Sequence, residues 1–238
     1  MNRLIKASSK SRAAPLVLLL ILLMPSLSWS KTSQSVSYFQ SALWTGVADV
    51  KVVGNTAYTA FWNGFGVLEV SNPAAPVLTG RLYLEGGRGW AVDLQGNYAY
   101  VADREAGLKI VDITDPKSPA PVSNLPGLKF STSVAIKNKR AYVTDKYFGL
   151  HVYDITDPSL PVLVLQIPLN GINREGVLDG NILYVTNSEH LLLFDVTDPS
   201  AVSLAGDYKT SGIPLGIEVV NRGIILADFA SLMILRRL

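Results

Sequence analysis

Acidic residues recur in this 238-residue chain at a nearly constant spacing, so carboxylate chemistry is the first to test. Asp112, Asp154 and Asp195 occupy one recurring slot, with Glu69 in the same place upstream. Asp103, Asp145, Asn187 and Asp228 occupy a second. Carboxylates converging on one point hold hard cations. A position filled in every copy of a repeat, however, serves the copy itself. Asp beside a turn bonds nearby backbone N–H groups, and both sets are read as turn caps. No DxDxDG calcium loop occurs. A third group, Asp49, Asp93, Glu175 and Glu218, does not recur in every unit. These four lie on one face of period-two runs and would line an acidic channel, offset by Lys51. A hydrated cation such as Ca2+ would suit that wall, the alternative being a channel filled by water.

Other chemistry is thinly represented. The chain has no cysteine, which excludes disulfides, thiolate metal sites and a cysteine nucleophile. Its 2 histidines are His151, in an apolar alternation and so at the surface or between units, and His190, in a loop beside Arg174 and Glu175. One loop histidine with scattered carboxylates makes neither a catalytic triad nor a metal triad. GxSxG and glycine-rich phosphate loops are absent.

The elements that must position these residues are copies of one unit. AYVAD (99–103) is followed by GLKIVDITDP, AYVTD (141–145) by GLHVYDITDP, and LYVTN (183–187) by LLLFDVTDP. Tyr58, Tyr100, Tyr142 and Tyr184 mark the same point in four copies, and a degenerate fifth copy runs through Ile225. Short runs rich in β-branched and aromatic residues predict strands. The pairs Gly54-Asn55, Gly96-Asn97 and Gly180-Asn181 predict hairpin turns in which both residues tolerate positive φ. Each unit therefore reads as four strands, named a to d, and four-stranded units of this length are propeller blades. Five a–b–c sets, with a lone d-type run at 36–40, predict an all-β, five-bladed β-propeller closed by the N-terminal strand. The repeats fall at about 46–87, 88–130, 131–173, 174–212 and 213–238.

GLKIVDITDP, GLHVYDITDP and LLLFDVTDP, each after an AYV-type strand, resemble the LVIVD-repeat family over about residues 46–235. The resemblance implies a propeller on secreted and cell-surface proteins of bacteria and archaea, and an interaction module with no catalytic signature. Repeat one departs with SNP for TDP, repeat four has His190 where Gly is usual, and repeat five lacks the DITDP end.

Residues 1–30 read as a signal peptide. Arg3, Lys6, Lys10 and Arg12 precede the apolar run 16–24, and Ser28-Trp29-Ser30 offers a small-residue cut. That run is shorter than the roughly 20 residues a spanning helix needs. Residues 31–238 are then one exported domain, in the periplasm or at the cell surface, with no membrane span after cleavage. Without the leader, 17 basic residues face 19 acidic ones, a balance of −2 that argues against nucleic acid.

Function is expected where the repeats differ. The b–c and d–a loops carry Trp62, Arg88, Trp90, Arg104, Tyr147, Phe148, Arg174, His190 and Phe229. Aromatic and arginine side chains dominate binding hot spots. The expected role is a non-enzymatic binding or scaffolding propeller that recognises a protein or glycan of the cell envelope, with no cofactor. The alternative is a hydrolase or lyase using funnel carboxylates, assisted by a cation.

Overall fold

The computed structural model describes residues 46–236, excepting 126, 221, 222 and 230. All of them lie in the compact unit Phe39–Leu238. The leader expected at 1–30 and the closing strand expected at 36–40 fall outside the described residues.

Each repeat becomes one antiparallel meander. Blade one is β1 (Val47–Val53), β2 (Thr56–Phe61), β3 (Gly64–Glu69) and β4 (Val77–Tyr83). Blade two is β5 (Ala91–Gln95), β6 (Tyr98–Ala102), β7 (Leu108–Asp112) and β8 (Ala120–Leu125). Blade three is β9 (Ser131–Lys137), β10 (Arg140–Asp145), β11 (Gly149–Asp154) and β12 (Val162–Ile167). Blade four is β13 (Asn173–Asp179), β14 (Ile182–Asn187), β15 (His190–Asp195) and β16 (Ser203–Lys209). Blade five has three described strands, β17 (Pro214–Val220), β18 (Gly223–Asp228) and β19 (Leu232–Arg236). The innermost strands β1, β5, β9, β13 and β17 neighbour one another in that order, which makes the molecule an all-β, five-bladed β-propeller.

The a–b hairpins close with two residues, as the partners Val53↔Thr56, Gln95↔Tyr98 and Asp179↔Ile182 show. Gly54, Gly96 and Gly180 sit at φ 58, 58 and 59°. The asparagines after them do not adopt positive φ, contrary to the sequence expectation. A type II′ turn needs positive φ only at its first central residue, and glycine supplies it. In blade three Asn138 and Lys139 both take positive φ, 48 and 60°.

The core lies between blades. Tyr58, Phe65 and Val67 of blade one pack with Val92, Val101 and Val111 of blade two. Tyr100, Leu108 and Ile110 pack with Val134, Val143 and Tyr153 of blade three. Tyr142, Leu150 and Val152 meet Leu183, Val185 and Phe194 of blade four, and Tyr184 and Leu191 meet Ile217 and Leu226 of blade five. Each repeated tyrosine thus fills an inter-blade interface, where a fully buried large apolar side chain contributes about 1.5–3 kcal/mol. Among the described residues, blade one enters one such core, whereas blades two to four each enter two. This explains why Val50 and Val52 are 43 and 60% exposed although the pattern marks them inward. Leu232 and Ile234 of blade five are exposed for the same reason.

Candidate functional site

In a meander the b–c and d–a loops emerge at the same end of every blade, so strand direction gathers them on one face. There the structure builds a chain of cations stacked on rings. The Arg104 guanidinium lies 3.6 Å from the Trp90 ring centre and 5.0 Å from Phe130. The Lys146 ammonium lies 4.9 Å from Phe130 and 5.2 Å from Tyr147. Phe130 and Tyr147 meet edge to face at 6.1 Å. Arg88 sits 5.7 Å above Trp62, and Lys129 is 5.7 Å from Phe148. The series crosses from blade one to blade three. Trp62, Tyr147, Phe148 and Phe229 remain exposed.

Arg104 is held rather than trailing in solvent. Its backbone is left-handed at φ 44°, a conformation that costs energy for a residue with a Cβ. Ser131 N–H and Gly107 N–H donate to its carbonyl, and Ser131 Oγ–H donates to the Gly107 carbonyl beside it at 2.9 Å. Its Nε is sealed without a hydrogen-bond partner. Burial, and Arg88 beside it, pull its pKa down, against the opposing pull of Glu105.

The loop carboxylates are withdrawn from the surface. Asp145 accepts from Phe130 N–H on one oxygen and from Tyr147 and Phe148 N–H on the other, capping the b–c turn as expected. Asp103, its counterpart in blade two, is fully buried and neither oxygen has a hydrogen-bond partner. It lies against Gly87, where a Cβ would come within 2.3 Å of it. Desolvation pushes it up to about 7. Asn187 bonds the d–a loop instead, donating to the Asn170 carbonyl and to Asn173 Oδ1. Asp228 accepts from Ser211 Oγ–H. The other recurring set is wholly structural. Asp112, Asp154 and Asp195 each accept the N–H two residues on, from Thr114, Thr156 and Thr197, and Glu69 accepts that of Ser71.

The channel acids find backbone partners across blade boundaries. Asp49 accepts from Val92 N–H at 2.9 Å, Asp93 from Ile136 N–H at 2.7 Å and Glu175 from Ile217 N–H at 3.0 Å. Lys51 reaches Asp93 at 3.9 Å. Burial, reinforced by Asp49 and Glu218, lifts Glu175 to about 7, and burial raises Asp49. Among the described residues no group of three or more His, Cys, Asp and Glu side chains is arranged to hold a metal ion.

Both histidines are accounted for by packing. His190 opens β15 and lies 2.6 Å from Asp207 on the outer strand β16 of its own blade. His151 is buried and stacked on Tyr153, and burial lowers its pKa. Arg174 is half-buried with an unpartnered Nε and has no ion pair. Sequence reasoning singled out neither Phe130, Lys129 nor Lys146 as a site residue. Lys146 stands 42 positions after Arg104 and Phe130 the same distance after Arg88, so alignment of the repeats held that signal.

The comparisons agree with this architecture. The chain resembles a functionally unknown protein from Desulfotomaculum acetoxidans, at 13% identity and TM-score 0.67 over 78% of this chain and 64% of that one. It resembles the Cps50 (Swd1) β-propeller domain of Myceliophteria thermophila, at 12% identity and TM-score 0.67 over 80 and 69%. BamB from Moraxella catarrhalis matches at 13% identity and TM-score 0.57 over 80 and 58%. The chain spans less than two thirds of the length of the first two structures it matches, 58% of a computationally designed protein and 64% of the Desulfotomaculum one. At such identities the likeness shows the fold alone. No curated protein matches the chain. The model of the LVIVD repeat matches four times, at residues 46–83, 86–125, 130–167 and 174–210, and the chain therefore belongs to the LVIVD-repeat family.

Proposed function

We propose that the protein is an exported binding or scaffolding module which takes a protein or glycan partner of the cell envelope on the b–c/d–a loop face. The basic, apolar and small-residue order of residues 1–30 supports export. Among the described residues no helix is long and apolar enough to cross a membrane. The observation that carries the reading is the cation–ring series across three blades. Cations stacked on rings keep their N–H edges free for a ligand, and exposed Trp62, Tyr147 and Phe148 stand beside them. Exposed apolar residues elsewhere, such as Val162, Leu163 and Val164 on the outer strand β12, have no cation stacked on them.

A photo-cross-linking side chain at Tyr147 tests this in an envelope extract, with the same group at Val162 on β12 as the control. A defined product at Tyr147, lost with Trp62→Ala and absent at Val162, is expected. Equal labelling at the two positions would remove the loop face as the site.

A further inference from the structure

The chemistry of the loop face narrows what it can hold, on the reading that this face binds a partner. Arg88, Arg104, Lys129, Lys146 and Arg174 share it, and none has a carboxylate within ion-pair distance; the ion pairs at this end of the blades, His190–Asp207 and Lys209–Glu189, lie in blade four and involve none of the five. Four of these cations rest on aromatic rings. Ring stacking covers one face of a guanidinium and leaves its donor edge open, the edge that grips a carboxylate with two hydrogen bonds. Glu85 and Glu105 are the exposed acids of this face in blades one to three, and Glu189 in blade four is paired with Lys209. Asp103 is buried and Asp145 is spent on three backbone N–H groups. A chain that is net acidic after its leader has therefore assembled a basic arc here.

The same geometry disfavours a sugar polymer. Sugars and bases stack on open ring faces, and sugar hydroxyls need paired acceptors. The Trp90 and Phe130 rings are already occupied by Arg104 and Lys146. The amides Asn173 and Asn187 bond each other and the backbone. What stays available is a row of cation donors alternating with ring edges. A polypeptide alternating carboxylates with apolar side chains complements that row.

We propose that the arc from Trp62 and Arg88 through Trp90, Arg104 and Lys146 to Tyr147 is the docking track of an acidic segment of a partner protein. Its Asp and Glu side chains sit on Arg88, Arg104 and Lys146, and its apolar side chains sit against Trp62 and Tyr147.

Fluorescence anisotropy with a labelled octapeptide of six Glu and two Leu tests this at low and moderate salt. The comparison probes are the same peptide with Gln for Glu, and polygalacturonate as competitor. Binding is expected to weaken at least about tenfold with Arg104→Ala/Lys146→Ala, and to weaken with salt. It should be unchanged by Arg81→Ala/Lys117→Ala, which removes two cations elsewhere. Arg88→Ala/Lys146→Ala serves as a second variant that leaves the Arg104 stack intact, and melting curves check that every variant is folded. Equal binding of the Gln peptide would overturn the proposal. So would equal loss in the Arg81/Lys117 variant, or rim-dependent binding of polygalacturonate tighter than that of the peptide. A Tyr147 cross-link without any binding of the Glu peptide removes the acidic segment and leaves the loop-face reading standing. Absence of both removes both.

Discussion

Asp103 and Asp145 are the same residue in two copies of the unit, and the fold treats them differently. Asp145 is held by three N–H donors, whereas Asp103 is sealed with none. Burial then favours the neutral acid, and the Asp103 carboxyl rises to about 7. A folded-state pKa above the unfolded one means the native protein binds the extra proton, so stability is full below about pH 4. It is lost as pH climbs from there through about 7. Glu175, also lifted to about 7, acts in the same direction. Asp103→Asn removes one ionisation from this window. Urea unfolding should show it more stable than wild type by about 1–3 kcal/mol at pH 8, because Asn lacks the unpaired buried charge that Asp103 carries there, and nearly equal at pH 4. A variant that loses stability with pH as steeply as wild type would show that Asp103 is not the group titrating.

At the scale of the element, the DP turn joins one blade to the one before it. The Pro158 carbonyl accepts from Ser123 Oγ–H on β8 at 2.7 Å. The Pro116 carbonyl lies over Gly80 on β4, where a Cβ would come within 2.1 Å of its oxygen. Gly206 on β16 holds the corresponding place in blade four, with no DP turn over it among the described residues. A Cβ there would find only Leu193 side-chain atoms, none nearer than 3.6 Å. Gly80→Ala should therefore cost about 1–3 kcal/mol through forced separation of two blades. Gly206→Ala should be neutral or slightly stabilising, since it stiffens the unfolded chain. Equal melting temperatures for the two variants would argue against this account of the turn.

At the scale of the whole molecule, carboxylates of the innermost strands join neighbouring blades. Asp49, Asp93 and Glu175 each accept a backbone N–H from the next blade, some 42 or 43 positions on. Their lone pairs serve a peptide group at three of the four described blade boundaries. Millimolar Ca2+ should then leave the melting temperature unchanged, because binding would have to break these bonds. A rise of several degrees, abolished by Glu175→Gln, would restore the channel as a cation site.

The sequence by itself determined the blade. Strand periodicity, glycine at the hairpins and Asx bonds in the TDP turns act over two to ten residues, and each copy states them again. It also marked which loops differ, and therefore Trp62, Trp90, Arg104, Tyr147 and Phe148. Only the tertiary structure decided which side chains meet. Trp90 and Arg104 come from opposite sides of one blade's loop set, and Phe130 reaches Arg104 from the next blade. His190 meets Asp207 because the pairing of β15 with β16 sets that acid diagonally across from it, two residues from its direct partner Lys209. Contacts between blades depend on how five sheets are set around an axis, and that arrangement is a sum over all the interfaces rather than a property of any single segment.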